Sequence, residues 1–147
     1  MAGLCEGGNE PSGSLKAICK VRGHALGFCK KGELLRNNRH HRARTATANL
    51  LRNRGWEVHE KIHCVSEDDS HRRVDIIAIK RRTQKAMVLD PTICFERETN
   101  QALQINDKRA KYVPCLPYLS EKYGISLYNW DVAGLLFGAR GCLPKFT

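Results

Sequence analysis

The stretch RRVDIIAIKRRTQKAMVLDPT, residues 72–92, decides the fold, because it holds two apolar runs separated by a short polar segment. This pattern predicts two antiparallel strands joined by a tight turn. Asp75 stands at the head of the first run and Asp90 at the tail of the second. In an antiparallel hairpin the start of one strand lies beside the end of the next, so we expect the two carboxylates to meet at one edge of the sheet.

The residues before this hairpin predict a helix and a further strand. Residues 33–54 predict a basic amphipathic helix that ends at Gly55, and residues 56–65 predict a strand whose apolar side chains alternate with polar ones. The three strands then form an antiparallel meander. The apolar stripe of the helix is expected at Ala43, Ala46, Leu50 and Leu51.

The residues after the hairpin predict a second helix and a last strand. Residues 100–112 predict a helix that Pro114 ends, and residues 126–137 predict a strand. The order helix, three strands, helix, strand indicates an α+β fold with helices packed on one sheet.

The chain of 147 residues has the size of one ordinary domain. We divide it into an irregular tail at residues 1–18, a Cys/His segment at residues 19–41, and a main domain at residues 33–147 that shares the basic helix with that segment. No apolar run approaches the roughly 20 residues of a membrane span, and the N-terminal stretch lacks the pattern of a signal peptide. We therefore expect an intracellular protein with no membrane partner.

The formal net charge is +10, and its location is informative. Between Lys16 and Arg54 there are eleven lysines and arginines against one acid, whereas residues 55–147 hold fourteen against twelve. A solvated basic face is one interpretation of such a run. A polyanion partner is the better one, because clustered Arg and Lys supply the phosphate contacts of nucleic-acid binding. The residues expected to bind nucleic acid are Arg36, Arg39, His40, Arg42 and Arg44.

The two aspartates suit a divalent cation. Mg²⁺ is usually held by one or two carboxylates together with waters and phosphate oxygens. Carboxylates within about 6 Å of each other could share one ion. The alternative is that each aspartate caps a strand or pairs with a nearby cation, for which Arg72, Arg73 and Lys85 are the candidates.

The run HRRVDIIAIK…KAMVLDPTICFE resembles the restriction-like endonuclease domain of site-specific non-LTR retrotransposon polyproteins, in the PD-(D/E)XK nuclease superfamily. HALGFCKKGELLRNNRHHRAR, WEVHEKIHC, KRAKYVPCLPYLSEKY and GLLFGARG extend the similarity over most of the chain. Relatives carry a reverse transcriptase ahead of the nuclease, but this chain has no recognisable polymerase motif. The resemblance implies a restriction-endonuclease-like core.

The resemblance also implies catalytic residues. Asp75 and Asp90 match the two acids that bind Mg²⁺, although Val74 stands where the family has proline. Thr92 occupies the position of the usual restriction-enzyme lysine, and Lys108 and Lys111 match the lysines that this family supplies from the next helix. Because they are three residues apart, these lysines share one face of the predicted helix.

A zinc knuckle is a further implied feature. Cys19, His24 and Cys29 are separated by four residues each, and His40 or His41 would complete a tetrahedral set. The family has a Cys-x-x-Cys pair ahead of the histidine, but residues 13–16 hold no cysteine. Half of the family's pattern is therefore absent, and a degenerate site is the alternative.

These features predict a Mg²⁺-dependent DNA endonuclease domain that nicks a target site. DNA is the expected partner, RNA of the parent element is a further candidate, Zn²⁺ is a second possible cofactor, and no small-molecule cofactor is expected. A nuclear location is expected. A nucleic-acid-binding remnant without catalysis is the main alternative, and an interaction domain with an incidental basic face is a third.

Overall fold

The computed structural model describes residues 32–94 and 101–138, and for residues 94, 101 and 102 it describes the backbone alone. The predicted tail at residues 1–18 and the zinc candidates Cys19, His24 and Cys29 lie outside the described residues. No helix within the described ranges is long and apolar enough to cross a membrane.

A mixed four-stranded sheet forms the centre of the described fold, with strand order β1-β2-β3-β4. The elements are α1 Glu33–Asn53, β1 Glu57–Val65, β2 His71–Lys80, β3 Lys85–Cys94, α2 Gln101–Tyr112, α3 Leu116–Tyr123 and β4 Trp130–Gly138. The first three strands are antiparallel neighbours, and β4 runs parallel to β3. The α+β prediction is therefore confirmed, including the meander and the further strand.

The helices cover both faces of the sheet and create two apolar layers. In the first layer α2 and α3 pack on the sheet, with Tyr112, Leu116 and Leu119 against Ile77, Ile79 and Val88. In the second layer α1 packs on the opposite face, with Ala48 and Leu51 against Ile76, Leu89 and Met87. This sandwiching explains why the runs in β2 and β3 are apolar at nearly every position.

The predicted apolar stripe of α1 is only partly right, because Leu51 packs on the sheet and Ala43 is half-buried, but Ala46 and Leu50 are exposed. Its buried residues are Arg44 and Ala48, whereas Leu50 is 52% exposed. The helix is too polar to dock through a hydrophobic face alone, so an ion pair contributes: Arg44 Nε donates to Glu60 Oε2 on β1 at 3.1 Å. The helix ends where predicted, and Gly55 takes the left-handed φ of 79° that such an end requires.

The sheet forks at the two aspartates. The β2–β3 pairing ends at Ile76 and Leu89, one residue short of Asp75 and Asp90. Beyond this point β1 and β2 stay paired with each other, and so do β3 and β4. Asp75 and Asp90 thus lie inside their strands, not at the strand ends as predicted, and they face each other where the two pairs of strands part.

An irregularity in β1 and β2 turns Asp75 towards this fork. The ladder between these strands skips the level of Lys61 and Asp75, and Lys61 has a left-handed φ of 57°. Val74 packs in the α2–α3 layer but Ile76 packs in the α1 layer, although regular alternation would place both on one face. The strand therefore changes face at Asp75, whose side chain consequently escapes the apolar α2–α3 layer.

Candidate metal centre

Asp75 is held by a histidine from α1. His40 Nε2 lies 3.3 Å from Asp75 Oδ2, and both side chains are only partly exposed, at 31% and 20%. The backbone of Pro91 on β3 also contributes to raising the pKa of His40. His40 therefore connects α1 to β2 at the fork.

Asp90 is held by a lysine from α2. Lys108 Nζ donates to Asp90 Oδ2 at 3.1 Å, and Thr92 Oγ1 donates to Oδ1 at 3.4 Å. The Asp90 side chain is 4% exposed, so Lys108 supplies the main counter-charge of a buried carboxylate. The alternative considered from the sequence, an ion pair with a nearby cation, holds for Asp90, but the partner is Lys108. Arg72 instead bonds Asp68 and Ser70.

Close packing between α2 and β4 allows Lys108 to reach Asp90. Gly134 pairs with Asp90 across the β3–β4 ladder. A β-carbon at position 134 would lie 3.4 Å from Lys108 Cβ and 3.5 Å from Ile105 Cα. Gly134 thus leaves the space in which the lysine stem crosses β4.

The ligand atoms of His40, Asp75 and Asp90 all lie within 4.8 Å of one another. Two donors on opposite sides of a divalent cation are about 4 to 5 Å apart, because each bond is about 2.0 to 2.6 Å long. The three side chains therefore fit a divalent cation, and their separation meets the distance expected for two carboxylates that share one ion.

The electrostatics of the cluster keep Asp75 ionised. Burial alone would raise the pKa of Asp75, but the hydrogen bond from His40 and the nearby charges lower it overall. The same hydrogen bond raises the pKa of His40 above its ordinary value, against the opposing effect of burial. Burial, followed by the charge of Asp90, raises the pKa of Tyr112, whose hydroxyl stays neutral and donates to the Arg73 carbonyl at 3.2 Å.

The cluster forms the floor of an open groove of about 480 Å³. One wall comes from the first half of α1 and the other from α2, while β2 and β3 form the floor. Five lysines and arginines line it: Arg36, Arg39, Arg73, Lys108 and Lys111. The groove thus places two carboxylates at its base and positive charge around them, which suits a cation and an anion bound side by side.

Most of the predicted site residues meet in this groove. Arg36, Arg39 and His40 reach it together because residues at i, i+3 and i+4 share a helix face. Arg42 is exposed on α1 but does not line the groove, and Arg44 is buried against Glu60. His41 is exposed, with its ring centroid 6.0 Å from that of His40.

Three contributions were missed from the sequence. The prediction placed His40 on zinc or nucleic acid, whereas it lies against Asp75. Tyr112 was not among the predicted site residues, yet it lines the groove and its hydroxyl donates to the Arg73 carbonyl. Gly134 was not singled out at all. The i, i+3, i+4 spacing on α1 was the one signal that could have grouped His40 with the groove arginines.

Comparisons with known proteins add no family. No protein-family model matches the chain, and no curated protein matches it. The class defined by fold and site is therefore an α+β domain with a candidate divalent metal centre in a basic groove.

Proposed function

We propose that this chain is a metal-dependent DNA endonuclease domain with a restriction-endonuclease-like core, derived from a non-LTR retrotransposon. The observation that carries the proposal is the position of three metal donors, mutually within 4.8 Å, at the base of a groove lined by five cations. Phosphodiester hydrolysis needs both features, because an activated water and a neutralised phosphate must lie side by side.

The fork of the sheet supports this function. It brings one carboxylate from each of two adjacent strands to the same place while keeping both on rigid elements. Such a support fixes ligands more accurately than a surface loop would. The resemblance noted in the sequence places its two acids at these same positions, Asp75 and Asp90.

Asp75, Asp90 and His40 would hold the metal ion. When bound, Mg²⁺ or a related ion lowers the pKa of a coordinated water and offsets charge on the phosphate. Asp75 is already ionised for this task, since contacts with His40 hold its pKa below the ordinary value despite burial.

The lysines and arginines would hold the substrate. Lys108 lies 3.1 Å from Asp90, close enough to donate to a phosphate oxygen beside that carboxylate. Lys111, one helical turn further along, lines the same wall. Arg36, Arg39 and Arg73 would contact neighbouring phosphates, because their guanidinium groups suit planar, two-point phosphate contacts. A nuclear location and contact with element RNA are part of the same proposal.

The test is nicking of a supercoiled plasmid by the purified chain with and without divalent cations. We expect the wild type to convert supercoiled to open-circular plasmid only with the ion, and Asp75→Asn to abolish this while binding duplex DNA. Asp131→Asn is the matched control, because Asp131 is exposed on β4 and pairs with Arg109, away from the groove.

Two outcomes would overturn the proposal. Nicking by Asp75→Asn at the wild-type rate would show that the carboxylate is not part of the reaction. A wild-type chain that binds DNA but never nicks it would indicate the nucleic-acid-binding remnant.

A further inference from the structure

The donor set of the candidate metal centre is mixed, with two carboxylates and one imidazole within 4.8 Å. Mg²⁺ and Ca²⁺ prefer oxygen ligands, whereas imidazole is a preferred ligand of later first-row metals. Mn²⁺ takes carboxylate and also accepts nitrogen. The identity of the third donor therefore bears on which ion the site prefers.

The side chain of His40 is positioned as a metal-binding histidine usually is. Its Nε2 lies 3.3 Å from Asp75 Oδ2, and the side chain lines the groove beside Pro91. Histidine ligands generally keep a second contact of this kind to a carbonyl or carboxylate, which fixes the ring. His41, the next residue, is exposed and is not part of the cluster.

We infer that His40 is the third protein ligand and that it makes the site prefer a first-row transition ion such as Mn²⁺ over Mg²⁺. This inference rests on the metal centre of the proposed function but not on DNA cleavage. Asp75 and Asp90 supply the affinity common to both ions, and His40 supplies the difference between them.

Isothermal titration of the full chain with Mn²⁺ and with Mg²⁺, without DNA, measures that difference. We expect His40→Asn to lower the Mn²⁺ affinity by about 10-fold or more, since losing even an outer partner of a ligand costs about 10-fold to 100-fold. The Mg²⁺ affinity should change by less than about 3-fold, because Mg²⁺ readily keeps a water in place of a protein ligand. His41→Asn should leave both affinities unchanged.

Electron spin echo spectroscopy of the Mn²⁺-loaded protein gives a direct second measurement. A ligating imidazole produces a ¹⁴N modulation, which we expect in wild type and in His41→Asn but not in His40→Asn. Circular dichroism confirms that the variants fold. If His40→Asn does not fold, the wild-type signal still tests the inference, because its absence contradicts nitrogen ligation.

An unchanged ratio of Mn²⁺ to Mg²⁺ affinity in His40→Asn, or a ¹⁴N modulation that persists in it, would overturn the inference, as would a wild type that binds neither ion. Selective Mn²⁺ binding by a chain that does not nick DNA would instead uphold the inference and refute the proposed endonuclease.

Discussion

Lys108 and a divalent cation should compete for the same carboxylate, and the variant Lys108→Gln reveals this competition. Lys108 Nζ lies 3.1 Å from Asp90 Oδ2, and the Asp90 side chain is 4% exposed. Glutamine removes the charge but keeps most of the stem that crosses Gly134. The variant therefore leaves Asp90 buried without its main counter-charge.

The free energy of unfolding lost in Lys108→Gln lies between the values for breaking a buried and an exposed ion pair. Breaking a buried pair costs about 3 to 5 kcal/mol, and an exposed pair is worth about 1 kcal/mol or less. Because Lys108 is 28% exposed, we expect a loss of about 2 to 3 kcal/mol in the free energy of unfolding without divalent ions. For a chain of this size, that loss lowers Tm by about 6 to 12 °C.

Thermal melts in EDTA and in Mn²⁺ measure both effects. The ion should raise the Tm of Lys108→Gln by more than it raises that of the wild type, because it replaces the missing positive charge. Lys111→Gln is the control: Lys111 is exposed, with Nζ 4.7 Å from the Tyr112 ring centroid, and its loss should change stability by less than about 1 kcal/mol. Equal melting of Lys108→Gln and wild type in EDTA, with equal rises in Mn²⁺, would mean that Lys108 is not the counter-charge.

Three other perturbations test the groove, the strand irregularity and an ion pair. Replacing Arg36, Arg39 and Arg73 with Ala should flatten the salt dependence of duplex binding, by about 0.9 in log–log slope per lost phosphate contact, in a fluorescence anisotropy titration. Lys61→Val should lower Tm more than Lys61→Gly, because a β-branched residue tolerates the φ of 57° poorly and glycine adopts it freely. Hydrogen bonds from Arg81 and His59 lower the pKa of Glu57 to about 2 from an ordinary 4.5, so the stability that Glu57 contributes is present above pH 4.5 and is lost as the pH falls towards 2. The Tm difference between wild type and Glu57→Gln should shrink over that range.

The groove and Glu57 variants each have a separate control, and the two Lys61 variants are compared with each other. Arg82→Ala removes an exposed cation at the β2–β3 turn, outside the groove, and should leave the salt slope nearly unchanged. Glu121→Gln removes an exposed acid on α3. A salt slope unaffected by the triple variant, equal melting of the two Lys61 variants, or a Glu57→Gln difference independent of pH would contradict the respective prediction.

The meeting of Asp75 and Asp90 was predictable because it depends on local features. Two apolar runs joined by a short polar segment fix a hairpin, and the hairpin fixes which residues face each other. The fork was not predictable, since it depends on β4 pairing with β3 far along the chain. Regular alternation also gave no sign that β2 changes face at Asp75, opposite the left-handed backbone of Lys61.

The cations that surround the two aspartates were also not predictable from the sequence. The sequence brings two carboxylates together, which suggests mutual repulsion. The tertiary fold adds Lys108 from α2 and His40 from α1, each distant in sequence from its partner. The predicted stripe of α1 is wrong at Ala46 and Leu50 for a related reason: periodicity assumes hydrophobic docking, whereas this helix also docks through charge.

The docking of α1 has a consequence for the opening of the native protein. Ala48 and the half-buried Leu51 are its main apolar contacts with the described sheet, and Glu60 receives hydrogen bonds from both Arg44 and Arg52. An element with few apolar contacts unfolds locally at a lower free energy than the core strands, and salt weakens the exposed part of its ionic attachment. Amide hydrogens of α1 should therefore exchange with solvent before those of β2 and β3. Each such opening would carry His40 away while the two carboxylates stay on the sheet. The candidate metal centre would then keep Asp75 and Asp90 in place and lose its histidine until α1 docks again.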